Sequence, residues 1–232
     1  MLVERMNFKD ITFTGITPKE AAKVQEALRS EVKIEPFKRT IKTIGGADVS
    51  LNLFSTTLYA GIVVMSYADL EIQEKSLVKI ETTFPYIPGF LSFREAPGLF
   101  ECWKNLKQKP DVLVVDGQGI AHPRRMGIAS HVGVLLDIPT VGCAKSMLYG
   151  RIAPNNGEVG TRADITDPKT GEVIGAALFT KKRSKPLIVS PGHKMSVDDA
   201  VSVILTTLRG YRLAEPTRQA HLAVNEFRVN GV

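Results

Sequence analysis

Cysteine is nearly absent. Only Cys102 and Cys143 occur in 232 residues, which excludes a disulfide framework and a CxxC zinc site and fits a reducing cytoplasm. No run has both the length and the apolarity of a membrane span. The longest uncharged stretch, Val49–Ala68, is broken by Asn52, Ser55, Thr56, Thr57 and Ser66, so it reads as two strands and a turn. The N-terminus, MLVERMNFKD, lacks the apolar core of a signal peptide. Asp116-Gly117-Gln118-Gly119 lacks the G-K-[ST] ending of a phosphate-binding loop, and no G-x-S-x-G elbow surrounds Ser190. Internal repeats, low-complexity tracts and linkers are also missing. The expectation is a soluble, cytoplasmic, monomeric protein, one domain over 1–232, with no membrane partner.

What remains is an ordinary globular composition, 44% hydrophobic and 23% charged. The net charge of +6 suits either a polyanionic partner or simple solubility. Thr17-Pro18-Lys19-Glu20 is a capping box with proline at the first helical position, and predicts a helix to about Glu31. Thr43–Phe54, Leu58–Tyr67 and Leu70–Ile80 read as an antiparallel meander. A helix over Leu91–Gln108 follows, with Pro97 and Gly98 expected to delay or kink it. Val112–Val115 is an unbroken β-branched and aliphatic run, as in a strand buried on both faces. A helix over Arg124–Leu136 and a strand over Thr140–Ala144 complete a β-α-β unit. Strands at Val173–Thr180 and Leu187–Val189 and helices at Val197–Leu208 and Glu215–Arg228 follow. The fold class is α/β with a mixed sheet, in the element order of the ribonuclease H-like fold.

Most acids sit on turns or polar helix faces, but Asp48 lies inside the first strand and Asp116 closes the run Val112–Val115. Burying an ionised carboxylate alone is costly, and two close together repel. Two acids on central strands therefore ask for a hard cation such as Mg²⁺ or Mn²⁺. Glu95 offers a third carboxylate, although it also stands three residues after Ser92, where it would complete a second capping box. Lys145, just past a strand end, is placed either to neutralise a phosphate oxygen or simply to meet solvent. Four basic residues in Lys181–Lys185 read as a nucleic-acid contact or a solvated hairpin tip. His131, Cys102 and Trp103 read as structural.

Five segments carry a more specific signal: FPYIPGFLSFREAP (84–97), PDVLVVDGQGIAHPRRMGIASHVG (110–133), PTVGCAKSMLYG (139–150), VSPGHKMS (189–196) and EPTRQAHLA (215–223). In these, and in their order, the chain resembles the endonuclease V family, nucleases acting beside deaminated adenine (inosine). The resemblance implies a ribonuclease H-like fold and Mg²⁺-dependent hydrolysis, with Mn²⁺ as a substitute. It places metal ligands at Asp48, Glu95 and Asp116, and His221 near the metal or its water. It implies a cut at the second phosphodiester bond 3′ to the lesion, leaving 3′-hydroxyl and 5′-phosphate ends. It makes Pro85-Tyr86-Ile87-Pro88 a strand-separating wedge, and puts Gly117, Gly119, Gly127 and Leu148 at a lesion-base pocket that His122 lines or whose loop it holds. The first-strand segment GGADVSL departs from expectation, since a bulkier apolar residue belongs at Gly46 or Ala47. The expected partner is inosine-containing DNA. The rival readings are an inosine-specific endoribonuclease, a non-catalytic binding module and a junction resolvase.

Overall fold

The computed structural model describes residue 13, residues 15–52 and residues 55–231. The N-terminal segment MLVERMNFKD and the last two residues of the first predicted strand, 53–54, lie outside the described residues. The chain runs α1 (Pro18–Arg29), β1 (Thr43–Leu51), β2 (Thr57–Ser66), β3 (Ile72–Glu81), α2 (Leu91–Asn105), β4 (Val112–Val115), α3 (Ile128–Leu136) and β5 (Thr140–Ala144). It continues with β6 (Arg151–Ile152), β7 (Arg162–Thr166), β8 (Val173–Leu178), β9 (Leu187–His193), α4 (Val197–Thr206) and α5 (Glu215–Asn230). Among the described residues one sheet holds nine strands in the order β3-β2-β1-β4-β5-β9-β8-β7-β6. The β1–β3 meander is antiparallel, whereas β4 pairs in parallel with both β1 and β5. This is the expected α/β, ribonuclease H-like arrangement.

Side chains alternate across the sheet. Ile44, Val112 and Val114 point into one core layer, which also contains Ala200, Ile204 and Ala220 of α4 and α5. Ala47, Leu113 and Val115 point into the other, with Ala96 and Leu99 of α2 and Val132 of α3. The chain leaves β1 toward β2 on one side and returns to β4 on the other. The crevice at the carboxyl ends of β1 and β4 is therefore a topological switch point, where ligands bind open sheets of this kind.

Several expectations shift. The first helix keeps its capping box. The one expected at Ser92 does not form: Phe90 is the N-cap, and Ser92 is inside α2, 2.9 Å from His131 Nδ1 through its Oγ. Pro97 neither delays nor ends α2, which runs through it. The third helix starts at Ile128 rather than Arg124, because His122 Nδ1 takes the Arg124 and Met126 N–H groups and holds that stretch as a turn. Strand β9 extends through Ser190-Pro191-Gly192-His193. It pairs with β8 only through Val189, so Pro191 sits where that edge has no ladder to complete. Strands β6 and β7 were not expected; Ala163 and Ile165 are the only buried residues of β7, too few to stand out as a period. The Lys181–Lys185 segment forms the exposed link between β8 and β9.

Candidate active site

The acidic pair follows from strand register. Ala47 pairs with Val115 across the parallel β1–β4 ladder, and the Asp116 N–H donates to Ala47 O at 2.9 Å. Asp48 and Asp116 therefore stand side by side on adjacent strands, facing the layer that contains α5. His221 descends from α5, and its Nδ1 lies 2.8 Å from Asp48 Oδ2. With Asp48 ionised, that carboxylate oxygen only accepts, so Nδ1 carries the proton. Ligand atoms of Asp48, Asp116 and His221 all lie within 4.8 Å of one another. Glu95 is outside this triple. It comes from α2, on the opposite face of the sheet, and reaches the same cleft of about 260 Å³, which Tyr86 and Lys145 also line. The Lys145 ammonium is bonded to Asp116 Oδ2.

Burial, reinforced by the Asp116 charge, raises Asp48 to about 6. Burial, then the charges of Asp48 and Asp116, raises Glu95 to about 8. Desolvation alone would lower Lys145, but Asp116 outweighs it and the ammonium is held above its usual range. The site thus has more negative charge than its surroundings neutralise. Two carboxylates and an imidazole at this spacing are a donor set for a divalent ion.

These shifts have a consequence for stability. Without a cation, folded Asp48 and Glu95 keep protons that the unfolded chain has already released above about pH 4. Folding then binds protons, so stability falls as pH rises through about 6 for Asp48 and about 8 for Glu95. Asp48→Asn is expected to raise the cation-free stability at pH 8 by up to about 3 kcal/mol, and Mg²⁺ to recover the same loss in the wild type. Melting curves at pH 5 and pH 8, with and without Mg²⁺, check both. A wild-type stability that rises over this interval relative to Asp48→Asn contradicts the assignment.

Tyr86 is 69% exposed at the lip of the cleft. Pro85 and Pro88 are exposed on either side of it, and Ile87 is half-buried. The loop is anchored below by Phe84, stacked among Phe90 and Phe93, and by Arg94, whose guanidinium donates to Phe84 O at 2.6 Å and Ser55 O at 3.0 Å. Beside it is a small cavity of about 40 Å³, lined among others by Gln25, Gly89, His122, Gly127 and Leu148. Gly117 and Gly119 do not line it, although Gln118 between them does. A Cβ on Gly119 would meet Pro191 O at 2.1 Å, so its bareness serves the packing of this loop on β9. Gln25, on α1, was invisible as a site residue in the sequence. It is a polar residue on an amphipathic helix, and only the fold turns it inward.

A larger groove of about 920 Å³ lies beside Pro110 and Pro139, at the opposite ends of β4 and β5. It contains none of these acids, and its Lys194 and Asp137 pair with each other at 2.6 Å. The carboxylates, Lys145 and His221 gather in the smaller cleft instead.

The family model for endonuclease V matches residues 26–222. An endonuclease V from Gloeobacter violaceus is 46% identical over 217 residues, covering 92% of this chain and 87% of that protein. The crystal structure of endonuclease V from Streptomyces avermitilis has a TM-score of 0.85 at 33% identity, over 93% of this chain and 94% of that one. Endonuclease V of Ciona intestinalis, bound to DNA containing an inosine followed by a ribo-adenosine, is similar with a TM-score of 0.82 at 29% identity, over 92% and 98% of the two chains.

Proposed function

This chain belongs to the endonuclease V family, and from that premise we propose that it is a Mg²⁺-dependent endonuclease recognising deaminated adenine in DNA. We place its cut at the second phosphodiester bond 3′ to the lesion, leaving 3′-hydroxyl and 5′-phosphate ends. The convergence of Asp48, Asp116 and His221 from three distant segments carries the reading. Asp48 and Asp116, with Glu95 from the opposite face, would hold the ion, and Mn²⁺ suits the same oxygens. A divalent cation there supplies positive charge to the scissile phosphate and acidity to water. Lys145 neutralises a phosphate oxygen. His221, oriented by Asp48, holds or accepts a proton at the side of the cleft. One sheet unites all nine described strands, which supports a single domain, and we take the chain to act as a monomer.

Tyr86 and its prolines form the wedge. An exposed ring on a stiff loop stacks on bases and fills the gap left by a displaced nucleotide. Tyr86→Ala is expected to lower nicking of a matched inosine-containing duplex by about tenfold, the worth of one stacking contact, with a smaller loss on the single strand. Equal activity of the variant and the wild type on the duplex removes the role. The cavity beside it suits base selection. Hypoxanthine presents a carbonyl and an N–H where adenine presents an amino group and an acceptor, so the wrong base leaves buried groups unpaired at about 1–3 kcal/mol each.

An oligonucleotide with one inosine, incubated with and without Mg²⁺ and mapped at nucleotide resolution, tests the reading. A Mg²⁺-dependent break one nucleotide beyond the lesion's 3′ neighbour bond supports it, and metal-independent or inosine-independent cutting overturns it. The Ciona relative's complex, with a ribonucleotide beside the inosine, gives weight to a second reading as an inosine-specific endoribonuclease. Matched DNA and RNA strands compared side by side separate the two.

A further inference from the structure

The carbonyl oxygen of Gly89 collects three side-chain donors. Gln25 Nε2 lies at 3.0 Å, His122 Nε2 at 3.0 Å and Arg124 Nη2 at 2.8 Å. The His122 tautomer follows from its other nitrogen. Nδ1 faces the N–H groups of Arg124 at 3.1 Å and Met126 at 3.4 Å, so the proton lies on Nε2 and points at Gly89. Burial pushes His122 down to about 4, which keeps that neutral form at working pH. Gly89 ends the Pro85–Pro88 loop, with φ at +82°.

Gln25 does more than add a third bond. Its other amide hydrogen goes to Met126 O at 3.1 Å, and its Oε1 accepts from Arg124 Nε at 2.6 Å. Every polar atom of this side chain is used, and the residue is 1% exposed. It occupies a core-facing position of α1 between Ala21 and Leu28, where an apolar residue would satisfy packing alone. A buried amide is unfavourable unless fully bonded, so its presence here calls for an explanation other than packing.

Gly89 and Met126 come from different loops that border the 40 Å³ cavity. That volume is smaller than a nucleobase, so a base seated fully between these walls presses them apart. We propose that Gln25 is a positioning residue that ties the two walls together through Gly89 and Met126, so that opening of the base cavity moves the Tyr86 loop with it. Pro88 lies in the two-residue step from Tyr86 to Gly89 and Pro85 precedes the tyrosine, so the segment is stiff and a displacement at Gly89 is passed along rather than absorbed. Arg124, stacked on Phe90 at 4.2 Å, completes the clasp. The inference rests on the wedge and pocket reading given above.

The test is a double-mutant cycle on nicking, paired with hydrogen exchange that needs no substrate. Wild type, Gln25→Leu, Tyr86→Ala and the double variant are assayed with Mg²⁺ on inosine-containing duplex and single strand. Gln25→Leu is expected to lose about tenfold on the duplex and under about threefold on the single strand. The double variant should fall within about twofold of Tyr86→Ala, because coupled residues are not additive. Amides of residues 84–91 should exchange faster in Gln25→Leu. Equal losses on both substrates, losses that multiply in the double variant, or unchanged exchange each overturn the coupling. If Gln25→Leu does not fold, Arg124→Leu removes two bonds of the same clasp at a partly exposed position and should show the same pattern. A wild type unable to nick inosine strands would sink the proposed function, and the exchange result would still decide the clasp.

Discussion

Asp116→Ala is expected to lower nicking of an inosine-containing strand by at least about 10³-fold, about 4 kcal/mol of transition-state stabilisation, while lesion binding persists. The carboxylate sits beside Asp48 on the neighbouring strand, in the triple whose ligand atoms lie within 4.8 Å of one another. It is also the partner of the Lys145 ammonium. Its loss removes one oxygen donor from the cation and the group that orients the lysine. Binding should survive because Asp116 does not line the cavity beside Tyr86, and one fewer negative charge faces the phosphates. The variant should be no less stable than the wild type without Mg²⁺, since the Asp116 charge is one of the causes that raise Asp48 and Glu95. Single-turnover rates and gel-shift binding in chelator check both halves. A variant cutting at the wild-type rate contradicts the metal assignment.

Gly46→Ala is expected to destabilise the protein by about 3 kcal/mol or more and to lower nicking as well. A Cβ at Gly46 would lie 1.9 Å from Pro216 O, 2.1 Å from Pro216 C and 2.9 Å from Pro216 Cα. These are backbone atoms in the first turn of α5, which cannot swing aside as a side chain can. The methyl group must push the start of α5 off the sheet, and α5 carries His221 toward Asp48. The melting temperature should fall by about 6–12 °C for a chain of this length. A fall of less than about 2 °C contradicts this account of α5 packing. The same contact explains the unexpected GGADVSL segment: a bulky residue in place of Gly46 would occupy the space that α5 takes.

The architecture is largely legible because its central elements carry strong apolar patterns and its connections carry clear turn and cap signals. Val112–Val115 announced a strand buried on both faces, and the β4-α3-β5 unit announced the parallel part of the sheet. Asp48 and Asp116 stood out as acids where acids are costly, and the β1–β4 register sets them side by side. Other parts depend on long-range contacts that no local pattern encodes. His221 looks like any helical histidine until α5 is laid across β1, and only the family resemblance singled it out. Glu95 kept two readings until Phe90, not Ser92, proved to cap α2. Gln25 is a polar residue on an amphipathic helix, and its role exists only because α1 packs beside loops 64 and 101 residues away. Strands β6 and β7 are too short and too charged to show a period.

Anomalous diffraction from crystals of the protein grown with Mn²⁺ and an inosine-containing strand locates the ion itself. A peak is expected between the carboxylates of Asp48 and Asp116, next to the phosphate that is cut, and is expected to vanish in Asp116→Ala crystals. A manganese peak elsewhere, with these two carboxylates left to Lys145 and His221 alone, would contradict the metal assignment.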